Sequence, residues 1–373
     1  MLSEKFEHVF CPIRPWRHRL QIERAILILT IIFVFSCAVQ NENKFSLTGR
    51  TKGMGNGTIL LLENSRNGGI IDSVIVENNR FKFQKPLATS PLRVILRTKD
   101  FSEYRYIWLE NSKMTFDASE SNFRNALVCG SDTENLSQEL KRKIDAVQRQ
   151  KRALIKIEFV KLHPDSIVSA YILSVYSTTW GKENTSELFE NFPEELKETE
   201  YGKNISNYIR LNKNPKPGDR FIDFEMEDTN GKMKKLSAFK GKIVLLEFWA
   251  SGCGPCRMEN PRLVRTYRKY KPSGFEIFAV SLDTRKENWL KAIEKDGLPW
   301  LQVSDLKGQN NSASLIYGIN GIPDNFLIDK NGIIIGRNLR GEKLNKKLSE
   351  IMPVADNVHN RLNKIKSTKK GLI

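Results

Sequence analysis

One segment restricts the fold of this chain more than any other. An apolar run, Ile243 to Phe248, leads through Trp249-Ala250-Ser251-Gly252 into Cys253-Gly254-Pro255-Cys256. A short, uninterrupted apolar run of this kind reads as a buried strand, and Cys256 to Tyr270 carries helical spacing, so the cysteines stand at a strand-to-helix junction with Cys253 at the helix N-cap. Unpaired N–H groups at a helix start favour an anion, and the anion available here is a thiolate. A dithiol so placed is suited to thiol–disulfide exchange. Half of a zinc site is the competing use of a C-x-x-C pair. Zinc takes four ligands, and beyond this pair the chain has only Cys11, Cys37, Cys129 and four scattered histidines, with no second paired motif. No metal and no cofactor are therefore expected.

The flanking sequence supplies an α/β frame. Glu276 to Ser281 reads as a second strand and Lys286 to Lys295 as a helix. Asn331-Gly332, between Phe326-Leu327-Ile328 and Ile333-Ile334-Ile335, predicts a hairpin closed by a tight primed turn, with positive φ at both central residues. Strand, helix, strand, helix, hairpin and helix describe a central sheet covered on both faces.

Over roughly residues 217 to 351 these segments resemble thioredoxin, and more closely the envelope-anchored TlpA/ResA-like thiol-disulfide oxidoreductases. Besides Glu247-Phe248-Trp249-Ala250-Ser251-Gly252-Cys253-Gly254-Pro255-Cys256-Arg257, three matches carry the resemblance. Pro261 falls five residues past Cys256, where the family has a helix-kinking proline. Tyr317-Gly318-Ile319-Asn320-Gly321-Ile322-Pro323 is similar to the loop with the cis-proline, and Phe326 to Gly332 to the closing hairpin. The resemblance implies a thioredoxin fold, a mixed sheet with helices on both faces.

It also implies roles. Cys253 would attack a substrate disulfide and Cys256, one turn into the helix, would resolve the mixed disulfide. Glu247 sits where thioredoxins hold a buried acid that exchanges a proton with the second cysteine; the alternative for the residue is a solvated strand-end carboxylate. Trp249, Gly254, Pro255, Ile322 and Pro323 would face the substrate, with a cis Ile322-Pro323 bond leaving neighbouring backbone groups free to pair with an extended chain. An ordinary turn proline is the other reading of Pro323. Gly254-Pro255 between the cysteines is the dipeptide of reducing thioredoxins, which points to a protein-disulfide reductase; an oxidase or isomerase of the same fold, or a binding protein with an accessory redox domain, are the alternatives. A peroxidase would carry threonine three residues before its reactive cysteine, and this chain has Ala250 there. The chain departs from the family at Gly252, where tryptophan usually precedes the first cysteine. The missing ring predicts a more exposed Cys253 and a different docking surface.

The first residues predict the compartment. Ala25 to Ser36 is largely apolar and follows Arg14, Arg17, Arg19 and Arg24. At about 1.5 Å per residue twelve helical residues span roughly 18 Å, short of a ~30 Å hydrocarbon core, so residues 1–36 read as a signal peptide rather than a spanning helix. Val34-Phe35-Ser36-Cys37 resembles a lipoprotein processing box, implying lipidation at Cys37, an anchor linker over 37–44, a periplasm-facing location at the cell envelope and a membrane or periplasmic electron donor. Plain secretion or an uncleaved anchor are the alternatives. Cys129, in Ala126-Leu127-Val128-Cys129-Gly130, is expected to be a single, small buried hydrophobe.

Residues 45–130 alternate like strands and carry Gly-Asn turns, predicting an antiparallel β-domain that resembles a module preceding thioredoxin domains in some envelope lipoproteins. Residues 131–213 are charged and helical. Leu140, Ile144, Val147, Leu154, Ile155 and Phe159 form one expected packing stripe and Val168, Tyr171, Ile172 and Val175 another, while His163 reads as structural. Asn214-Pro215-Lys216-Pro217-Gly218 predicts a stiff linker into a redox domain over 214–352, followed by a basic tail, 353–373. The net charge is +17. Basic residues are spread through the helical region and tail without aromatic interleaving, which argues against nucleic acid and for acidic protein substrates or an anionic membrane surface.

Overall fold

The structure is a computed structural model, and it describes residues 45–352. The predicted signal peptide, Cys37, the anchor linker and the basic tail lie outside the described residues. These fall into two compact units, one ending at Ile157 and the other beginning at Glu158.

The first unit contains eight strands: β1 (Ser46–Arg50), β2 (Ile59–Asn64), β3 (Ile70–Ile75), β4 (Arg80–Phe83), β5 (Leu92–Thr98), β6 (Tyr104–Leu109), β7 (Lys113–Asp117) and β8 (Leu127–Cys129). They form two four-stranded sheets, ordered β3-β2-β5-β6 and β4-β1-β7-β8. Alternate residues such as Leu60, Leu62, Val94 and Leu96 of the first sheet and Leu47, Phe81, Phe83 and Phe116 of the second share one core. The first sheet is antiparallel as expected, whereas the second contains a parallel pair, Leu47 beside Met114 and Gly49 beside Phe116. Hairpin signals are local, and a parallel pairing between strands more than sixty residues apart leaves no such signal. Helix α1 (Asp132–Asp145) is capped by Ser131, whose hydroxyl accepts from Glu134 N–H. Glu134 in turn accepts the Trp108 N–H at 2.9 Å and meets Arg105, tying the helix to β6. Cys129 corrects an expectation: it ends an edge strand and is half-buried rather than buried.

Helices α2 (Arg152–Leu162), α3 (Ile167–Trp180), α4 (Lys182–Glu190), α5 (Glu194–Lys197) and α6 (Glu200–Leu211) follow. Phe159, Val168 and Ile172 are buried as expected; Leu154 is 68% exposed because the chain breaks between α1 and α2 and resets the helical phase, and Val175 of α3 is exposed too. His163 lies against the Phe159 ring at 4.8 Å, a packing role. The predicted linker is laid onto the following domain: Lys213 and Asn214 both donate to Ile316 O at 3.0 Å, and Gly218 to Ile334 O at 2.8 Å.

The hairpin β9 (Glu225–Glu227) and β10 (Met233–Lys235) precedes the central elements β11 (Ile243–Trp249), α7 (Gly254–Tyr270), β12 (Phe275–Ser281), α8 (Lys286–Asp296), β13 (Leu301–Val303), α9 (Ser312–Tyr317), β14 (Asp324–Ile328), β15 (Ile334–Arg337) and α10 (Gly341–Ile351). The sheet order is β13-β12-β11-β14-β15, parallel across the first three strands and antiparallel across the last two. Every residue of β11 is buried, as a strand covered on both faces requires. Ile243, Leu245 and Trp249 face a core shared with α7, α8 and α10, and Val244, Leu246 and Phe248 face one shared with α9 and Met226 of β9. This is the mixed, doubly covered sheet that the sequence predicts. The closing turn differs from the expected primed type. Only Gly332 has positive φ, at 83°, and the Asp329 carboxylate accepts from Asn331 and Ile333 N–H at 2.9 and 2.8 Å. The Asp side chain organises a longer loop with a left-handed glycine, which the dipeptide alone does not distinguish from a two-residue turn.

Candidate active site

Strand β11 ends at Trp249, and the chain turns through Ala250, Ser251 and Gly252 into α7. Cys253 is the N-cap, with extended backbone, and its Sγ accepts from Cys256 N–H at 3.2 Å. The two cysteines are joined as a disulfide, with Cα atoms 5.2 Å apart. Cys253 is half-buried and Cys256 only 2% exposed, so one sulfur of the pair is open to a partner and the other is shielded. Gly254 and Pro255 are exposed between them, and Pro255 fits the first helical turn, where its missing N–H has no acceptor to lose. Gly252 is exposed too, and a Cβ there meets nothing within 4 Å. Pro261 lies inside α7.

The Ile322–Pro323 peptide is cis. Pairing of β11 with β14, Phe248 against Asp324, brings this proline to the sheet end that holds the disulfide. Ile322 and Cys253 pack against the same core. Arg340 donates to the Pro323 carbonyl and, at 2.9 Å, to Asn338 Oδ1.

Glu247 lies beneath this end, on the β11 face shared with Leu245 and Trp249. It is buried, one carboxylate oxygen, Oε2, has no hydrogen-bond partner, and burial pushes its carboxyl up to about 8. The Asn325 side chain and the Arg340 charge oppose that rise, and Asp324 and Glu259 add to it. A solvated carboxylate is thereby excluded. Trp249, expected at the substrate face, is corrected: it is 2% exposed and donates its indole N–H to Gln302 at 3.0 Å, so it supports the turn from inside. Strand β11 is covered on both faces, so its last side chain is buried on either face.

Sequence reasoning passed over the groups that hold the turn. Ser251 donates from N–H and Oγ to the Asp283 carboxylate, and its carbonyl accepts from Arg257, which pairs with Asp296. The available signal was position: Ser281-Leu282-Asp283 leaves a parallel strand at the sheet end where α/β folds gather functional loops. Among the described residues no cluster of His, Cys, Asp and Glu is arranged to hold a metal, and no helix is long and apolar enough to cross a membrane.

Comparison with known proteins places these features. Residues 217–337 match the AhpC/TSA family, and residues 45–136 match a domain of unknown function, DUF4369. The thiol-disulfide oxidoreductase ResA of Geobacillus thermodenitrificans is 37% identical over 139 residues, which span 36% of this chain and 78% of that protein. ResA of Bacillus thuringiensis is 33% identical over 135 residues, 36% of this chain and 76% of the relative. Among solved structures, the thioredoxin domain of a thiol-disulfide oxidoreductase from Bacteroides vulgatus is 38% identical, covering 37% of this chain and 99% of that one at a TM-score of 0.35.

Proposed function

The chain belongs to the ResA-like family of thiol-disulfide oxidoreductases, and from that premise we propose that it reduces protein disulfides through the Cys253–Cys256 dithiol, at the cell envelope. The observation that carries this reading is the asymmetry of the pair: an accessible sulfur at a helix N-cap bonded to a shielded one above a buried acid. In the reduced protein the Cys253 thiolate attacks one sulfur of the substrate disulfide, breaking that bond and releasing a substrate thiolate. Cys256 then attacks the Cys253 sulfur, forming the intramolecular disulfide and releasing the second substrate thiol. Two electrons and two protons pass to the substrate, and an external dithiol must return them.

The ionised fraction of Glu247 takes the proton of Cys256 in the resolving step. Its raised carboxyl, pushed up to about 8, approaches the ordinary thiol value of about 8.5, the matched condition for proton exchange. Pro323 and Ile322 offer backbone and apolar surface beside the sulfurs, and Gly254 and Pro255 supply a low rim that leaves Cys253 open. Gly254-Pro255 supports the reducing direction. Ala250, in place of the threonine of a peroxidase, sets the chain apart from that chemistry within the matched AhpC/TSA family. The apolar leader and the box ending at Cys37 support export and lipid anchoring, with a membrane or periplasmic dithiol as donor.

The test is the equilibrium potential of the pair. The protein is titrated in thiol redox buffers, free thiols are alkylated, and the Cys253–Cys256 peptide is read by mass. A two-electron transition near the roughly −270 mV of thioredoxin supports the reductase. A value above about −180 mV assigns an oxidase or isomerase instead, and no cooperative transition removes the enzymatic reading.

A further inference from the structure

The peptide of Ser251, two residues before Cys253, is gripped on both sides. Asp283, buried in the loop after β12, accepts Ser251 N–H at 2.9 Å, Ser251 Oγ–H at 2.5 Å and Ser281 Oγ–H at 2.7 Å. The Ser251 carbonyl accepts from Arg257 Nη1 at 3.0 Å. Arg257 makes a two-point pair with Asp296, Nε to Oδ2 at 2.5 Å and Nη2 to Oδ1 at 2.7 Å, and Asn260 donates to the same carboxylate at 2.7 Å.

Arg257 on α7 is committed to Asp296 at the end of α8 and reaches Asp283 only through space, while the hydrogen bonds to Asp283 come from neutral donors. Glu247 of β11 lies below, protonated at neutral pH by its burial. The Asp283 carboxylate, held by neutral donors, stands beside the turn that carries the attacking sulfur and opposes the helix start that favours a thiolate there.

Resting on the redox reading given above, we propose that Asp283 is a positioning residue that poises the cysteine pair for reduction, its carboxylate holding the Ser251 turn and its negative charge disfavouring the Cys253 thiolate. Where Cys253 is ionised, the half-reaction joins the disulfide, two electrons and one proton into a Cys253 thiolate and a Cys256 thiol. A charge that disfavours the thiolate raises only the reduced side, so the dithiol yields its electron pair more readily. The opposite case, a stabilised reduced form, makes a strong oxidant.

Asp283→Asn tests this by removing the charge while keeping size and one acceptor oxygen. The equilibrium with glutathione should move toward the dithiol by about fivefold to tenfold, tenfold being about 30 mV, and the pH midpoint for Cys253 alkylation should fall. Ser251→Ala removes one hydrogen bond and leaves the carboxylate; it should lower kcat/KM while moving the equilibrium less than twofold. Asp283→Glu should return the equilibrium toward the wild type. If Asp283→Asn does not fold, Asp296→Asn, which frees Arg257 to neutralise Asp283, should move both readouts in the same direction. Unmoved readouts in the folded aspartate variants overturn the proposal, as does a Ser251→Ala shift as large as that of Asp283→Asn. A wild-type protein without a two-electron transition would instead remove the redox reading itself.

Discussion

Replacing Glu247 by glutamine should make the redox unit more stable at neutral pH, by an amount that depends on pH in a defined way. The carboxyl is pushed up to about 8 in the folded protein, chiefly because it is buried, against an ordinary value of 4.5. Between these values the folded protein keeps a proton that the unfolded chain releases. Stability therefore falls as pH rises from about 4.5 to about 8, and below that window the carboxyl costs nothing. From 4.5 to pH 7, at about 1.4 kcal/mol per pH unit, the cost is about 3 kcal/mol. Glutamine keeps the shape and does not titrate. Its amide needs an acceptor where Oε2 now has no partner, an offset of about 1 kcal/mol. The net gain of Glu247→Gln is thus about 2 kcal/mol at pH 7, turning into a loss of about 1 kcal/mol near pH 4. Amide exchange of the β11 core, corrected for intrinsic rates and measured on both oxidised proteins across this range, reports opening of this unit alone. A stability difference that stays constant from pH 5 to pH 8 would refute the argument, because only a carboxyl held protonated by the fold produces that slope.

Two further outcomes follow from the same geometry. Cys256→Ser leaves Cys253 able to attack but removes the resolving sulfur, so mixed disulfides with substrate proteins should persist on non-reducing gels and disappear in Cys253→Ser. In the first unit, Gly49 pairs across the sheet with Phe81, and a Cβ at Gly49 would lie 2.0 Å from the Phe81 ring. Gly49→Ala should therefore destabilise the β-sheet unit by about 1–3 kcal/mol, seen as faster amide exchange in β1 and β4, and unchanged exchange there would show that the ring moves aside freely.

What this amino-acid sequence determined by itself is the chemistry that depends on neighbours along the chain. An apolar run reaching a C-x-x-C pair was enough to place a strand, a helix and a thiolate-favouring N-cap, because burial on both faces and helix capping are written in consecutive residues. Ile322-Pro323 and the strands of the β-domain were legible for the same reason. Decisions involving distant segments were left to the tertiary structure. Trp249 turned inward because β11 is covered on both faces and the buried Gln302 accepts its indole N–H. The parallel pairing of β1 with β7 joined strands without a local signal. Glu247 became a proton-holding acid only when β14, α7 and α10 excluded water from it, and Asp283 came to Ser251 because β12 lies parallel to β11 and delivers its following loop to the same end. Desolvation and convergence of loops are properties of packed neighbours, and a linear pattern of side chains does not contain them.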